Sequence, residues 1–119
     1  MDWLLQHQHE YRNFDFDVRV GPGTDPGPDL PDSIRDMALR LSRRRIDAVA
    51  HAADHVAVIE ICQRPNLRAL GQIDLYRFHY EQDFKPEKEV RPAILCRDIP
   101  QDVAAYLSAE GVIVWQIPA

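Results

Sequence analysis

The sequence predicts an α+β domain built on a mixed sheet of about five strands with helices on both faces. Three observations carry this. Apolar residues recur at strand period or as short β-branched runs near residues 14–20, 46–51, 55–62, 90–96 and 112–117. Helical spacing separates most of these runs. Two of them, however, are divided only by Ala52 to Asp54, too short for anything but a hairpin turn. A hairpin followed by two strand–helix–strand crossovers makes the sheet mixed. A chain of 119 residues suits one domain with a modest core, taken here as residues 1–119.

Trp3, Leu4 and Leu5 suggest a short N-terminal helix. Phe14, Phe16, Val18 and Val20 alternate with Asp15, Asp17 and Arg19, the period of a half-buried strand. Residues 21–31 hold four prolines and three glycines, which forbid regular structure and predict an exposed loop. Asp32 or Ser33 is placed to cap the next helix, with Ile34, Met37, Ala38 and Leu41 as its buried stripe. Strands follow at Ile46 to His51 and His55 to Cys62. Asn66 can cap a helix running to about Tyr80, with Ala69, Ile73, Tyr76 and Tyr80 on one face. Gly71 would let that helix approach the sheet closely. Val90 to Cys96 reads as a strand whose Pro92 favours an edge or a bulge. Pro100 can begin a last helix with Val103, Tyr106 and Leu107 inward, and Gly111 can end it. Val112 to Ile117 is the final strand.

Composition narrows the function. The net charge of −5 argues against general polyanion binding. Positive charge is concentrated locally at Arg35, Arg40, Arg43, Arg44 and Arg45. That cluster is either a solvated helix face that complements the helix dipole or a local phosphate-contacting patch. Arginine dominates, and Lys85 and Lys88 are the only lysines. Cys62 and Cys96 are too few for a disulfide scaffold. Both end strands that could be parallel neighbours, within disulfide reach, although free thiols suit a reducing compartment better. No signal peptide is visible, and the longest apolar run, Val56 to Cys62, is far too short to span a bilayer. A cytoplasmic or virion-associated protein, not secreted and without a membrane partner, is the expectation.

The candidate site lies in the hairpin. A turn centred between Ala53 and Asp54 sets Asp47 directly opposite Glu60, with Cβ atoms roughly 5 Å apart. Two carboxylates at that distance repel unless a cation sits between them, and hard oxygen ligands suit a divalent one. Cys62 points to the same side as Glu60. Gln72 and Tyr76 share one face of the following helix. Ordinary packing of Tyr76 in the core is the competing reading. His51 shares the strand face of Asp47, and His55 begins the next strand; both read as hairpin-end residues.

An aspartate on one strand, Glu-x-Cys on the next and a Gln-x-x-x-Tyr helix together resemble the PD-(D/E)XK nuclease superfamily, in particular its small members in phages and prophages. Residues 14–117 take part. Ile46 stands where the superfamily's name has proline, and Cys62 where it has lysine. The resemblance implies a restriction-endonuclease-like fold. It implies Asp47 and Glu60 as ligands of Mg2+ or Mn2+, with Gln72 and Tyr76 beside them. It implies DNA or a phage or other protein complex as partner, with oligomerisation open. A thiol at position 62 cannot supply the fixed positive charge that lysine brings to the water and phosphate. Arg64 or Arg68 could swing in to replace it. Two functions follow: a nuclease-fold module of weak or no activity with a binding or structural role, or an active magnesium-dependent DNase with a relocated basic residue.

Overall fold

The structure, a computed structural model, describes residues 11–117. The helix expected at Trp3 to Leu5 lies outside the described residues. The described elements are strand β1 (Tyr11–Val20), helix α1 (Asp32–Ser42), β2 (Arg44–Ala52), β3 (His55–Cys62), α2 (Leu67–Phe84), β4 (Glu89–Cys96), α3 (Gln101–Ala109) and β5 (Ile113–Gln116). They form one sheet in the order β1-β2-β3-β4-β5. The first three strands are antiparallel, and β3–β4 and β4–β5 are parallel. The result is a mixed five-stranded sheet with three helices, an α+β fold consistent with a restriction-endonuclease-like fold. However, α2 and α3 pack on the same face of the sheet instead of on both faces as expected, because both parallel crossovers step in the same direction along it.

Strand alternation sorts the core into two faces. Val49, Val56 and Val58 meet Ile73, Tyr76 and Tyr80 of α2. Ile94 and Cys96, farther along that face, join Ala69 of α2 and Leu107 of α3. The opposite face is built from small residues, Ala48, Ala50, Ala57 and Ala93, together with Ile59 and Leu95. Tyr11, Phe14 and Trp115 pack against them. Val49, Val58, Ile73 and Ile94 are fully buried. Each such side chain contributes about 1.5–3 kcal/mol of transfer free energy.

Capping follows the local chemistry. The Asn66 side chain accepts from the Ala69 N–H at 3.2 Å, as the sequence predicts. The helix it starts runs past Tyr80 to Phe84. Its C-cap is Lys85 in the left-handed region at φ 46°, whose N–H donates to Glu81. α1 is capped differently from expectation. Pro31 occupies the N-cap position, no side chain caps it, and Asp32 falls in the first turn, where its charge suits the dipole. Gly111, at φ +82°, ends α3, and the Val112 N–H returns to the Leu107 carbonyl at 2.9 Å.

Several side-chain expectations are corrected. The stripe Ile34, Met37 and Leu41 is exposed, not buried, and no residue of α1 is buried. Helical periodicity says that a helix is amphipathic; it does not say that a partner surface exists within the chain. Tyr106 is likewise exposed while Leu107 is buried. Gly71 faces open space, so a Cβ there would meet nothing. Pro92 lies in an interior strand, but β5 pairs with β4 only from Ala93 onward. Its missing N–H therefore falls where the sheet has no further neighbour, which gives Pro92 a local edge.

Candidate functional site

The β2–β3 ladder runs from His51↔Val56 to Ala48↔Ile59 and stops there. The next positions are Asp47 and Glu60. Here a carboxylate takes over from the backbone: Asp47 Oδ2 accepts the Ile61 N–H at 2.9 Å. Asp47 is thereby held at the mouth of the hairpin beside Glu60, with 22% of its side chain exposed. Arg45 stands on its outer side. One guanidinium nitrogen is 3.7 Å from Asp47 and another is 3.6 Å from Asp17 on β1. Asp17 adopts φ 52°, an uncommon conformation for a residue other than glycine.

Glu60 carries the electrostatic signature of the site. Burial raises its pKa to about 7, helped by the neighbouring Asp47 charge and a hydrogen bond with Asp47, and opposed by Arg45. A carboxyl crowded by another carboxylate in a poorly solvated place holds its proton. Cys62, two residues on, is half-buried, and burial pushes its thiol up to about 11, with Cys96, Glu60 and Asp47 adding to the effect. It is a neutral thiol at physiological pH. Cys62 and Cys96 are register partners across the parallel β3–β4 pair, as the sequence suggested, and both are free.

The helix residues divide. Tyr76 is buried in the α2–sheet core, as the packing reading predicts. Its hydroxyl nonetheless reaches outward and accepts from Gln72 Nε2 at 2.6 Å. Gln72 itself is exposed. It lines a shallow cleft with Glu60, Cys62, Arg64, Asn66 and Arg68. Arg64 is paired with Asp98. Arg68 has no hydrogen-bonding or ion-pair partner among the described residues, so the cleft holds one uncommitted cation. Among the described residues no three His, Cys, Asp or Glu side chains converge as a metal cage.

The sequence expectation set Asp47 opposite Glu60, Cys62 beside Glu60, and Gln72 with Tyr76 on one helix face; in the structure Glu60, Cys62 and Gln72 line one cleft. The expectation missed Arg45 and Asp17, because the β1–β2 pairing is a long-range contact that no local spacing reveals. His51 binds Asp15 at 2.8 Å, and His55 binds Asp54 at 2.8 Å and Tyr11 at 3.1 Å. Both belong to the turn end of the hairpin, away from the acids. Of the arginine cluster, Arg35 is tied to Asp25, Arg43 to Asp83 and the Gly21 carbonyl, and Arg45 to the acids above.

No family model matches the chain, and no curated protein sequence matches it. Among solved structures it is similar to a repair endonuclease from Pyrococcus abyssi, with a TM-score of 0.51 and 17% identity over 62% of this chain. The match covers 33% of that endonuclease, so the chain corresponds to about a third of its length. At this identity the likeness shows a shared fold.

Proposed function

We propose that this protein is a nuclease-fold module, associated with DNA or with a DNA-processing or phage complex, with weak or no cleavage activity of its own. The observation that carries the reading is the acid pair beside a neutral thiol. Asp47 and Glu60 are held together at the hairpin mouth, Glu60 shifted to about 7, while Cys62 offers no positive charge. The donor set fits Mg2+ or Mn2+. Both donors are hard oxygens, and a carboxyl pair that retains a proton because of burial and mutual repulsion gains by exchanging it for a cation. Asp47 and Glu60 would hold the ion, with water completing its shell. When bound, such an ion supplies Lewis-acid stabilisation of charge on a phosphate. Gln72, fixed by Tyr76, offers a hydrogen-bonding edge to a strand lying in the cleft. Arg68 offers a phosphate contact.

A second reading rests on Arg68. An uncommitted guanidinium in the same cleft as Glu60 is placed to serve as the relocated cation of an active magnesium-dependent DNase. One experiment separates the two. Plasmid and branched DNA are incubated with purified protein and Mg2+ or Mn2+. The favoured reading expects little or no cutting by wild type, because a missing preorganised donor commonly costs roughly 10²–10³ in rate. Cys62→Lys should then produce detectable cleavage, lost again in Cys62→Lys/Asp47→Asn. Robust wild-type cleavage, abolished by both Glu60→Gln and Arg68→Ala, would establish the DNase instead.

A further inference from the structure

Val20 ends β1, Arg44 begins β2, and the two are register partners. Partners in an antiparallel pair share a face. Val20 is fully buried in the cluster that includes Tyr76 and Tyr80 of α2, so Arg44 lies beside it on the side that meets α2. The chain then turns through Gly21 and Gly23, both in the left-handed region, at φ +81° and +72°. With Val20, Thr24, Ser42, Arg44 and His79, this turn borders a pocket of about 350 Å³. Gly21 lies against the His79 ring: a Cβ there would sit 3.4 Å from three ring carbons. The polar groups around the pocket divide by kind. The acceptors are spent. Asp83 Oδ2 takes the Gly21 N–H at 2.8 Å and an Arg43 nitrogen at 2.9 Å, and the Gly21 carbonyl takes Arg43 Nε at 2.7 Å. Arg19 covers the carbonyls of Leu41 and Arg43, at the negative end of α1. The donors are not spent. Among the described residues, the Arg44 guanidinium, the His79 ring nitrogens, the Thr24 hydroxyl and the Gly23 N–H have no hydrogen-bond or ion-pair partner.

We infer that this pocket holds a backbone phosphodiester of a nucleic-acid strand, with Arg44 as its charged contact. Electrostatics select an anion. Arg19, Arg43 and Arg44 stand here against the carboxylate of Asp83, in a chain whose net charge is −5. Arg43 and Asp83 cancel as a pair, and Arg44 is left uncompensated. Donor chemistry selects phosphate: a guanidinium fork, a ring N–H, a hydroxyl and a backbone N–H are the groups that bind phosphate oxygens. Charge selects the diester. One uncommitted guanidinium balances the single charge of a phosphodiester and would leave the near-double charge of a phosphomonoester half compensated. The same contact accounts for part of the arginine cluster. Arg35, Arg43 and Arg45 are bound to acids within the chain, whereas Arg44 has a pocket beside it and no acid. The pocket shares no residue with the cleft of Glu60 and Gln72 and needs no metal. Only the identity of the strand as DNA rests on the proposed function.

The test uses the full chain with a chelator present, so that no divalent ion bridges the acids to a phosphate. Binding of a duplex oligonucleotide is followed by fluorescence anisotropy across a salt series, and dimethyl phosphate is titrated against the backbone amides by NMR. Wild type should bind the duplex at low salt, and both ligands should shift the Gly23 and Thr24 amides. Arg44→Gln should bind the duplex about five- to tenfold more weakly, with a log–log salt slope shallower by about 0.9, the value of one lost phosphate contact. Its thermal midpoint should not change, since Arg44 holds no partner among the described residues. Arg44→Lys, which keeps the charge, should keep the salt slope. Arg68→Gln is the control for the cleft. Duplex binding that falls with Arg68→Gln and ignores Arg44→Gln would overturn the inference and leave the proposed function standing. Amide shifts that persist unchanged in Arg44→Gln would overturn it as well, and so would wild-type Gly23 and Thr24 amides that neither ligand moves. Shifts with dimethyl phosphate without any duplex binding would overturn the strand as occupant, and the DNA reading with it.

Discussion

Glu60 ties the candidate site to a measurable property. Its pKa is raised from 4.5 to about 7, so the folded chain keeps a proton that the unfolded chain has already released across that interval. The folded state binds more protons there, and stability must fall as pH rises from about 4.5 to about 7, then level off. Allowing for solvent screening of a half-buried group, the fall should be about 1–2 kcal/mol. Glu60→Gln should flatten this limb of the stability curve and leave the variant the more stable protein at pH 8. Chemical denaturation across the pH range checks it, and a wild-type curve that rises through this window would refute the assignment. Mg2+ or Mn2+ should act against the same proton. A bound cation should raise the thermal midpoint by mass action at pH 8, and Asp47→Asn should abolish the gain.

Cys62 makes a second residue-scale expectation. A thiol pushed up to about 11 has few thiolate anions at neutral pH, and Cys96 beside it is buried and directed at the Trp115 carbonyl. Alkylation of native protein at pH 8 should be about 10²-fold slower than in denaturant. Fast native labelling of Cys62 would mean that the thiol is not the inert group described. At this scale the sequence was informative wherever function depends on short spacings. The hairpin turn alone sets Asp47 opposite Glu60, and strand period alone sets Cys62 beside Glu60. It was silent on Arg45 bridging Asp17 and Asp47, because that contact needs the β1–β2 register. It was silent too on which arginine stays free, because Asp98 claims Arg64 from 34 residues away.

Elements were legible where a local rule governs them. Asn66 was read as an N-cap because its side chain can reach an N–H three residues on whatever the rest of the chain does. The far end of the same helix was misjudged by several residues. Nothing in Lys85 announces a left-handed cap that glycine would adopt without strain. The two ends should therefore respond oppositely. Asn66→Ala should cost about 1 kcal/mol of stability. Lys85→Gly should gain up to about 1 kcal/mol by relieving a positive φ. Urea unfolding of both variants would decide, and a loss at both ends would argue that Lys85 makes contacts that outweigh its strain. The exposed stripe of α1 is the opposite case. Its spacing is amphipathic as read, but burial is a property of the surface opposite, and the described residues supply none.

At the scale of the whole molecule, stability is unevenly distributed. β3 is flanked on both sides by long partners and presents Val56 and Val58 to α2 and Ala57 and Ile59 to the other face, all of them buried. Residues 21–43 depend instead on polar contacts, some exposed and some part-buried, chief among the latter those of Gly21 and Arg43 to Asp83, and the exposed ones are each worth little in water. Opening this arm exposes almost no apolar surface, whereas opening the sheet exposes the core. Amide exchange should report two tiers. In dilute solution the α1 amides should exchange at least about 10²-fold faster than those of Val56 to Ile59, whose protection should approach the global unfolding limit. Uniform protection of both regions in dilute protein would mean that the arm is docked on the sheet and belongs to the same cooperative unit.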